Sequence, residues 1–369
     1  MGETALRKES QAIEFPPGKI PTLRMIAWEV TRRCNLSCIH CRAAAERGPY
    51  PGELSPEEAL RLIDDIVSFS SPVVILTGGE PLLREDIFDL ARYGSDRGLR
   101  MVMAPNGTLV DAERALQIKE SGIQRVSISL DGATQDTHDR FRRVEGAFAG
   151  ALRGIEHLKN AGVEFQINTT VTQINYEELP AILGLAVRLG AVAHHMFLLV
   201  PTGRGKELEG QAIQAAEYEK ILNWFYDQRE KTSLQLKATC APQYYRILRQ
   251  RSREEGRKLT PQSHGLDAVT RGCLGGIGFC FISHRGEVQP CGYLEALSGN
   301  IRQQSLRAIW EESPVFQKLR DFSGYKGKCG HCEYIRVCGG CRARAFEKTG
   351  DLLAEEPLCI YSPKLSPVC

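Results

Sequence analysis

The sequence predicts an α/β fold: a partial (β/α)6 barrel of TIM type followed by a cysteine-rich C-terminal domain. Three observations predict it. Short apolar runs alternate six times with segments of helical period. Glycines and polar residues gather just after those runs. The thirteen cysteines fall into one group at positions 34–41 and another from 240 to 369, with none between.

Taken in order, RMIAWEVT (24–31) is the first strand, and the next helix starts near Pro56, capped by Ser55 with Glu58 at the capping-box position. VVILT (73–77) precedes a helix near 84–98, and RMVMA (100–104) precedes one near 111–121. RVSISL (125–130), VEFQINTTV (163–171) and AVAHHMFLLV (191–200) follow, each with a helical stretch behind it. The runs are short and apolar, as expected of parallel strands covered on both faces. An open doubly wound sheet has the same rhythm. The residues after the strands favour the barrel: Gly78, Gly79, Glu80 and Pro81, then PNGT (105–108), Asp131-Gly132 and PTGRG (201–205). Such folds place their active sites at the carboxyl ends of the strands. The expected division is a tail over 1–22, the barrel over 23–235, a connection over 236–270 and the second domain over 271–369.

Composition narrows the function. Lys and Arg number 47 against 45 Asp and Glu, a net charge of +2, so no global field favours nucleic acid or an anionic membrane. The start, MGETALRKESQ, has no apolar core of a signal peptide, and Leu6 breaks the myristoylation pattern. No apolar run is long enough for a membrane span. The expectation is a cytoplasmic protein, whose cysteines serve metals rather than disulfides.

Cys34, Cys38 and Cys41 lie within eight residues, in CNLSCIHC. A tetrahedral structural metal site needs four ligands, whereas a metal with one position open is a place for chemistry. Toward the C-terminus, Cys273-x6-Cys280-x10-Cys291 is followed by Cys329-x2-Cys332-x5-Cys338-x2-Cys341 and then Cys359. These eight thiols make two four-thiolate sites, either iron–sulfur or zinc-ribbon. Cys240, in the connection, reads as a buried apolar thiol ahead of a substrate-side residue, and Cys369 as a frayed terminal thiol.

CxxxCxxC after the first strand and GGEP after the second resemble the radical SAM superfamily. The resemblance implies that Cys34, Cys38 and Cys41 hold a [4Fe–4S] cluster whose fourth iron takes S-adenosylmethionine (SAM). It gives no catalytic side chain beyond the cluster and SAM. It implies that Glu80, with the backbone of Gly78 and Gly79, receives the methionine amino group. Ser129 then matches a ribose contact, and Asn106, Asn168 and Thr170 the polar SAM-facing positions. The stretch from Phe197 to Val200, Leu198 included, would line the adenine. His40 stands where many members carry another aromatic residue before the third cysteine.

The second cysteine group resembles the SPASM extension, with two residues rather than three between Cys338 and Cys341. By that pattern Cys273, Cys280, Cys291 and Cys341 hold one auxiliary [4Fe–4S] cluster, and Cys329, Cys332, Cys338 and Cys359 another. Peptide maturases share this layout, many with a separate domain of some 80 residues before the barrel. Only about 23 residues precede the first strand here. FLLVPTGRGK, LKATCAPQYYRI and RGCLGGIGFCFISHRGEVQPCGYL resemble instead the heme synthases of the alternative heme pathway, which have siroheme-modifying relatives. That resemblance implies an iron-coproporphyrin III substrate, a low-potential donor of flavodoxin or ferredoxin type, and cations for the porphyrin carboxylates. The candidates are Arg204 above all, then Lys206, Arg140, Arg142, Arg143, Arg246 and Arg271. His194, His195, His264 and His284 are weighed as iron ligands, with core or surface positions as the plainer reading of each.

Overall fold

The computed structural model describes residues 20–260, 267 and 270–364. His264 and Cys369 lie outside the described residues. The six apolar runs become β1 (Met25–Thr31), β2 (Val73–Gly78), β3 (Arg100–Met103), β4 (Val126–Ser129), β5 (Phe165–Val171) and β6 (Ala193–Leu198). They lie side by side in chain order, every pair parallel. The intervening helices are α1 (Pro56–Phe69), α2 (Ile87–Asp96), α3 (Ala112–Glu120), α4 (Gln135–Arg142), α5 (Ala147–Asn160) and α6 (Leu179–Leu189). The capping box of α1 forms as its sequence requires. Ser55 Oγ accepts from the Glu58 amide at 3.2 Å, and Glu58 Oε2 accepts from the Ser55 amide at 2.9 Å.

Alternation along the strands separates two faces. Ile26, Trp28, Val74 and Leu76 are fully buried and share one core with Ala59, Leu62, Ile63 and Ile66 of α1. The residues between them, such as Ala27, Ile75 and Thr77, are half-buried and face the inside of the arc. That inner face is the lumen.

Both edges of the six-stranded arc are extended. After α7 (Ala215–Asp227) comes β7 (Gln235–Thr239), parallel to β6, and then α8 (Gln243–Glu254). The sequence reading misses β7, because LQLKAT is too polar to match the apolar runs of the other strands. On the far side, β8 (Phe279–Ile282) pairs in parallel with β1, and β9 (Glu287–Gln289) and β10 (Gly299–Asn300) continue antiparallel. The cysteine-rich segment therefore begins as part of the barrel sheet. It ends in α9 (Leu306–Glu312), α10 (Pro314–Arg320), α11 (Gly327–Gly330) and α12 (Arg342–Thr349). Arg302 ties it to α1 through both carboxylate oxygens of Glu58, at 2.7 and 2.8 Å.

Candidate active site

The loop after β1 carries Cys34, Cys38 and Cys41, and its neighbours hold it mainly by its backbone. The Cys34 amide donates to Glu46 O at 2.7 Å, and the Ser37 and Ile39 amides to Arg142 O and Phe141 O at 3.2 and 2.9 Å. Asn35 Nδ2 donates to Thr108 Oγ1 at 2.8 Å, fastening the loop to PNGT. Leu36 N–H points at Cys34 Sγ and Ala45 N–H at Cys41 Sγ, both at 3.4 Å. Burial pushes the Cys34 thiol up to about 12 and raises that of Cys38 as well. Such thiols stay neutral until a metal displaces their protons.

GGEP folds against this loop. A Cβ on Gly78 would come within 2.2 Å of Thr31 O, and one on Gly79 within 2.4 Å of Arg33 O, so only glycine lets the two loops touch. The contact aims the next residue. Glu80 is fully buried, its Oε2 accepting from the Asn106 amide at 2.7 Å and its Oε1 from the Leu82 amide at 3.1 Å. Burial outweighs these bonds and raises the carboxyl to about 7. A buried carboxylate without an ion-pair partner is a receptor for an ammonium group. Asn106 itself is spent on Asn35 and Thr108.

Register places the other polar positions in one line. Ser129, Asn168, His195 and Lys237 are aligned across β4, β5, β6 and β7, all half-buried on the lumen face. Thr170, Phe197 and Thr239 form the next row toward the carboxyl ends. Leu198 is buried behind the sheet, in the core, so its side chain does not line the lumen. Sequence reasoning missed Lys237 because it missed β7. Its ammonium makes no hydrogen bond or ion pair with any described residue, and burial lowers its pKa. Beside it, burial holds His195 well below the usual imidazole range, hence neutral.

The cations singled out from sequence are mostly committed elsewhere. Arg204 Nε donates to Cys38 O and Nη1 to Ala45 O, both at 2.9 Å, so it clamps the cysteine loop rather than facing the lumen. Gly203 allows this: at φ +54, a Cβ there would meet Arg42 O at 2.1 Å. Arg142 is buried, 2.5 Å from Asp131 Oδ2 and 3.5 Å from Cys38 Sγ. Burial is the largest influence on the Asp131 carboxyl and would raise it, but the Arg142 guanidinium together with His40, His138 and the Thr170 amide holds it below its usual range. Arg271 is buried in the C-terminal domain over the Phe322 ring, and Arg246 grips Glu219. Lys206 is exposed and pairs with Glu347 at 3.2 Å. Arg140 and Arg143 lie on the open surface beside Asp136 and Glu207. Among the histidines, His194 is buried against Thr169 at 3.0 Å, and His284 contacts Glu29 at 2.7 Å. Of the candidate histidines among the described residues, His195 is the one that faces the lumen.

Of the auxiliary thiols, Cys329, Cys332, Cys338 and Cys359 line one cavity, with Gly339, Gly340 and Tyr361. The first set is different. Cys291 and Cys341 pack in one cluster with Val200 and Leu294. Cys280 does not join them: it sits on β8 opposite Ile26, fully exposed to nothing but the barrel core. The spacing that includes Cys280 in that set is thus corrected by the strand it occupies. Cys240, expected to be an apolar filler, packs beside Cys291 and Cys341.

Comparison with known proteins decides the family. The model of the radical SAM superfamily matches residues 28–186, and that of the SPASM iron–sulfur cluster-binding domain matches residues 273–342. An AdoMet-dependent heme synthase of Oleidesulfovibrio alaskensis is 58% identical over 94% of this chain and 89% of its own length. The chain belongs to the radical SAM superfamily and carries a SPASM domain. A second AdoMet-dependent heme synthase, from Methanosarcina barkeri, is 54% identical over 92% of this chain and 97% of its own. In fold, SuiB of Streptococcus suis bound to S-adenosylmethionine matches with a TM-score of 0.72 at 14% identity, over 97% of this chain and 80% of SuiB.

The side chains fit the cofactors of a radical SAM enzyme. Three thiols on one loop leave a cluster position open, and Glu80 stands ready beside them for an amino group. Among the described residues no three His, Cys, Asp or Glu side chains converge on a single-ion site. No helix among them is long and apolar enough to cross a membrane.

Proposed function

We propose that this radical SAM enzyme is a heme synthase that converts two propionates of iron-coproporphyrin III into the vinyl groups of heme b. The observation that carries this reading is the near full-length identity, 58% and 54%, to two AdoMet-dependent heme synthases. A reduced cluster held by Cys34, Cys38 and Cys41 would supply the electron that cleaves SAM, and the 5′-deoxyadenosyl group so released would take a hydrogen atom from the propionate carbon next to the ring. The carbon–carbon bond to the carboxylate then breaks, CO2 leaves, one electron departs, and the vinyl double bond forms. An auxiliary cluster supplies an electron acceptor of suitable kind.

The chain's own residues have these parts in the proposal. Cys34, Cys38 and Cys41 hold the cluster, and Glu80 with the Gly78–Gly79 backbone orients the amino end of SAM. Ser129, Asn168 and Thr170 face its remaining polar groups. Lys237, whose ammonium makes no hydrogen bond or ion pair among the described residues, holds a propionate carboxylate in the lumen. Neutral His195 beside it offers a hydrogen bond without a competing charge. A flavodoxin- or ferredoxin-type protein supplies the electrons.

The test is anaerobic turnover of reduced protein with SAM and iron-coproporphyrin III. Heme b should form through a monovinyl intermediate with one SAM consumed per propionate. Deuterium on the carbon beside the ring should appear in 5′-deoxyadenosine. No porphyrin turnover together with modification of a peptide would make it a maturase, and turnover of a siroheme-derived substrate instead would move it to another heme-pathway branch. Lys237→Met should raise the KM for the porphyrin while leaving SAM binding unchanged.

A further inference from the structure

Eight thiols make two complete auxiliary sets only if Cys280 is a ligand, and its place in the fold denies it that role. Cys280 faces the same side of the sheet as Ile26, within the core beneath the helices. Nothing but burial acts on its thiol. Cys273, Cys291 and Cys341 are then one ligand short.

The structure puts another thiol against two of them and its chain segment against that of the third. Cys240 immediately follows β7, at the carboxyl end where the lumen opens. It packs on the same apolar cluster as Cys291 and Cys341. The approach to Cys273 is set by glycine: a Cβ on Gly272 would lie 2.5 Å from the Cα of Pro242, so only a bare backbone brings Cys273 against the Cys240 segment. From the side of Cys341, Arg344 Nη2 donates to Cys240 O at 2.8 Å, and Tyr218 Oη donates to the same oxygen at 3.2 Å. Cys240 also adopts φ +55, in the left-handed region. For a residue other than glycine that conformation is strained and persists only where its surroundings enforce it. Here two donors on one carbonyl enforce it, and the turn aims the side chain into the thiol group.

We propose that Cys240, not Cys280, completes the first auxiliary four-thiolate set with Cys273, Cys291 and Cys341. The ligand set then spans β7 of the barrel and the SPASM domain, so that cluster joins the two at the lumen mouth. A Cβ on Gly292, beside Cys291, would lie 3.1 Å from Arg42 Cδ, which places this set next to the SAM-cluster loop. The proposal rests on the iron–sulfur character of the SPASM domain and is independent of the porphyrin reading.

Full-length protein reconstituted anaerobically is the material for the test, read by iron and sulfide analysis with Mössbauer and EPR spectra. The parent protein should hold about 12 iron atoms in three four-iron clusters. Cys280→Ala should keep that count and the parent spectra. Cys240→Ala should lose between one and four irons, leaving either a three-iron cluster or none at that site. Cys240→Ser, which keeps the size and a weaker ligand, should retain more iron than Cys240→Ala with altered EPR of one cluster, and it reads the ligand even if the alanine variant folds poorly. Iron loss in Cys280→Ala, or unchanged iron and spectra in both Cys240 variants, overturns the proposal.

Discussion

Cys34, Cys38 and Cys41 come from a single loop, which the loops after β2, β3 and β6 hold by hydrogen bonds and close glycine contacts. The thiols of the first auxiliary set proposed above come from the end of β7, two loops of the SPASM domain and the N-cap of α12, spread over about a hundred residues. Both regions gather thiols, but the first is local and the second is assembled by tertiary structure. A local site can be read from spacing, because the chain between the ligands is too short to place them elsewhere. A dispersed site cannot, since a strand can carry a cysteine away from its apparent partners, as β8 does with Cys280. The difference also suits the two roles. A loop with three ligands leaves one metal position for a co-substrate, while four ligands from separate elements close a site and tie the elements together.

The largest effect should come from deleting the local site. Replacing Cys34, Cys38 and Cys41 together by Ala should abolish 5′-deoxyadenosine formation and lower the iron from about 12 to about 8 per chain, with the auxiliary spectra intact. Product formation in that variant would break the comparison, because the auxiliary thiols would then be capable of the local site's chemistry.

A smaller effect should follow from loosening the loop without touching a thiol. Arg204→Met removes two charge-assisted hydrogen bonds, to Cys38 O and Ala45 O. We expect a loss of about 2 kcal/mol, from hydrogen bonds to a charged group and two carbonyls left without that donor. Chelators should then strip the SAM cluster first, leaving the auxiliary irons in place. Equal loss from all clusters would show that the loop and the SPASM domain open together.

What the sequence could and could not reveal follows the same division. The six strands, the α1 cap, the CxxxCxxC loop and GGEP depend on neighbours within a few residues, and their patterns are plain. The roles of cations were not legible. Arg142, Arg204 and Arg271 are all candidates in one dimension, with Arg204 foremost for its place after β6, yet the fold sends one to Asp131, one to loop carbonyls and one to an aromatic face. Lys237 carried a weak signal, the alternation of LQLKAT, which a search for apolar runs passes over. Its importance lies in register with His195, a relation that exists only once β7 pairs with β6.

The smallest of the expected effects concerns pH, and it tests whether the local site is completed by Glu80. Burial raises that carboxyl to about 7, with Arg114 the one cation lowering it and the Cys34 thiol close enough to feel its charge. The folded protein therefore holds a proton on Glu80 that the unfolded chain has lost, between pH 4.5 and about 7. Over that window the unliganded fold loses stability as pH rises. Binding an ammonium group has the opposite sense, since only the carboxylate attracts it. SAM affinity should accordingly tighten by about tenfold from pH 6 to pH 8, the change expected when a group of pKa near 7 must ionise for binding. Glu80→Gln keeps the hydrogen-bond acceptor for the Asn106 amide but carries no charge, so it should bind SAM weakly and without that pH dependence. Calorimetric titration of the anaerobic protein at three pH values reads both. A Glu80→Gln variant that retained the full pH dependence would place the titrating group elsewhere, and the amino end of SAM with it.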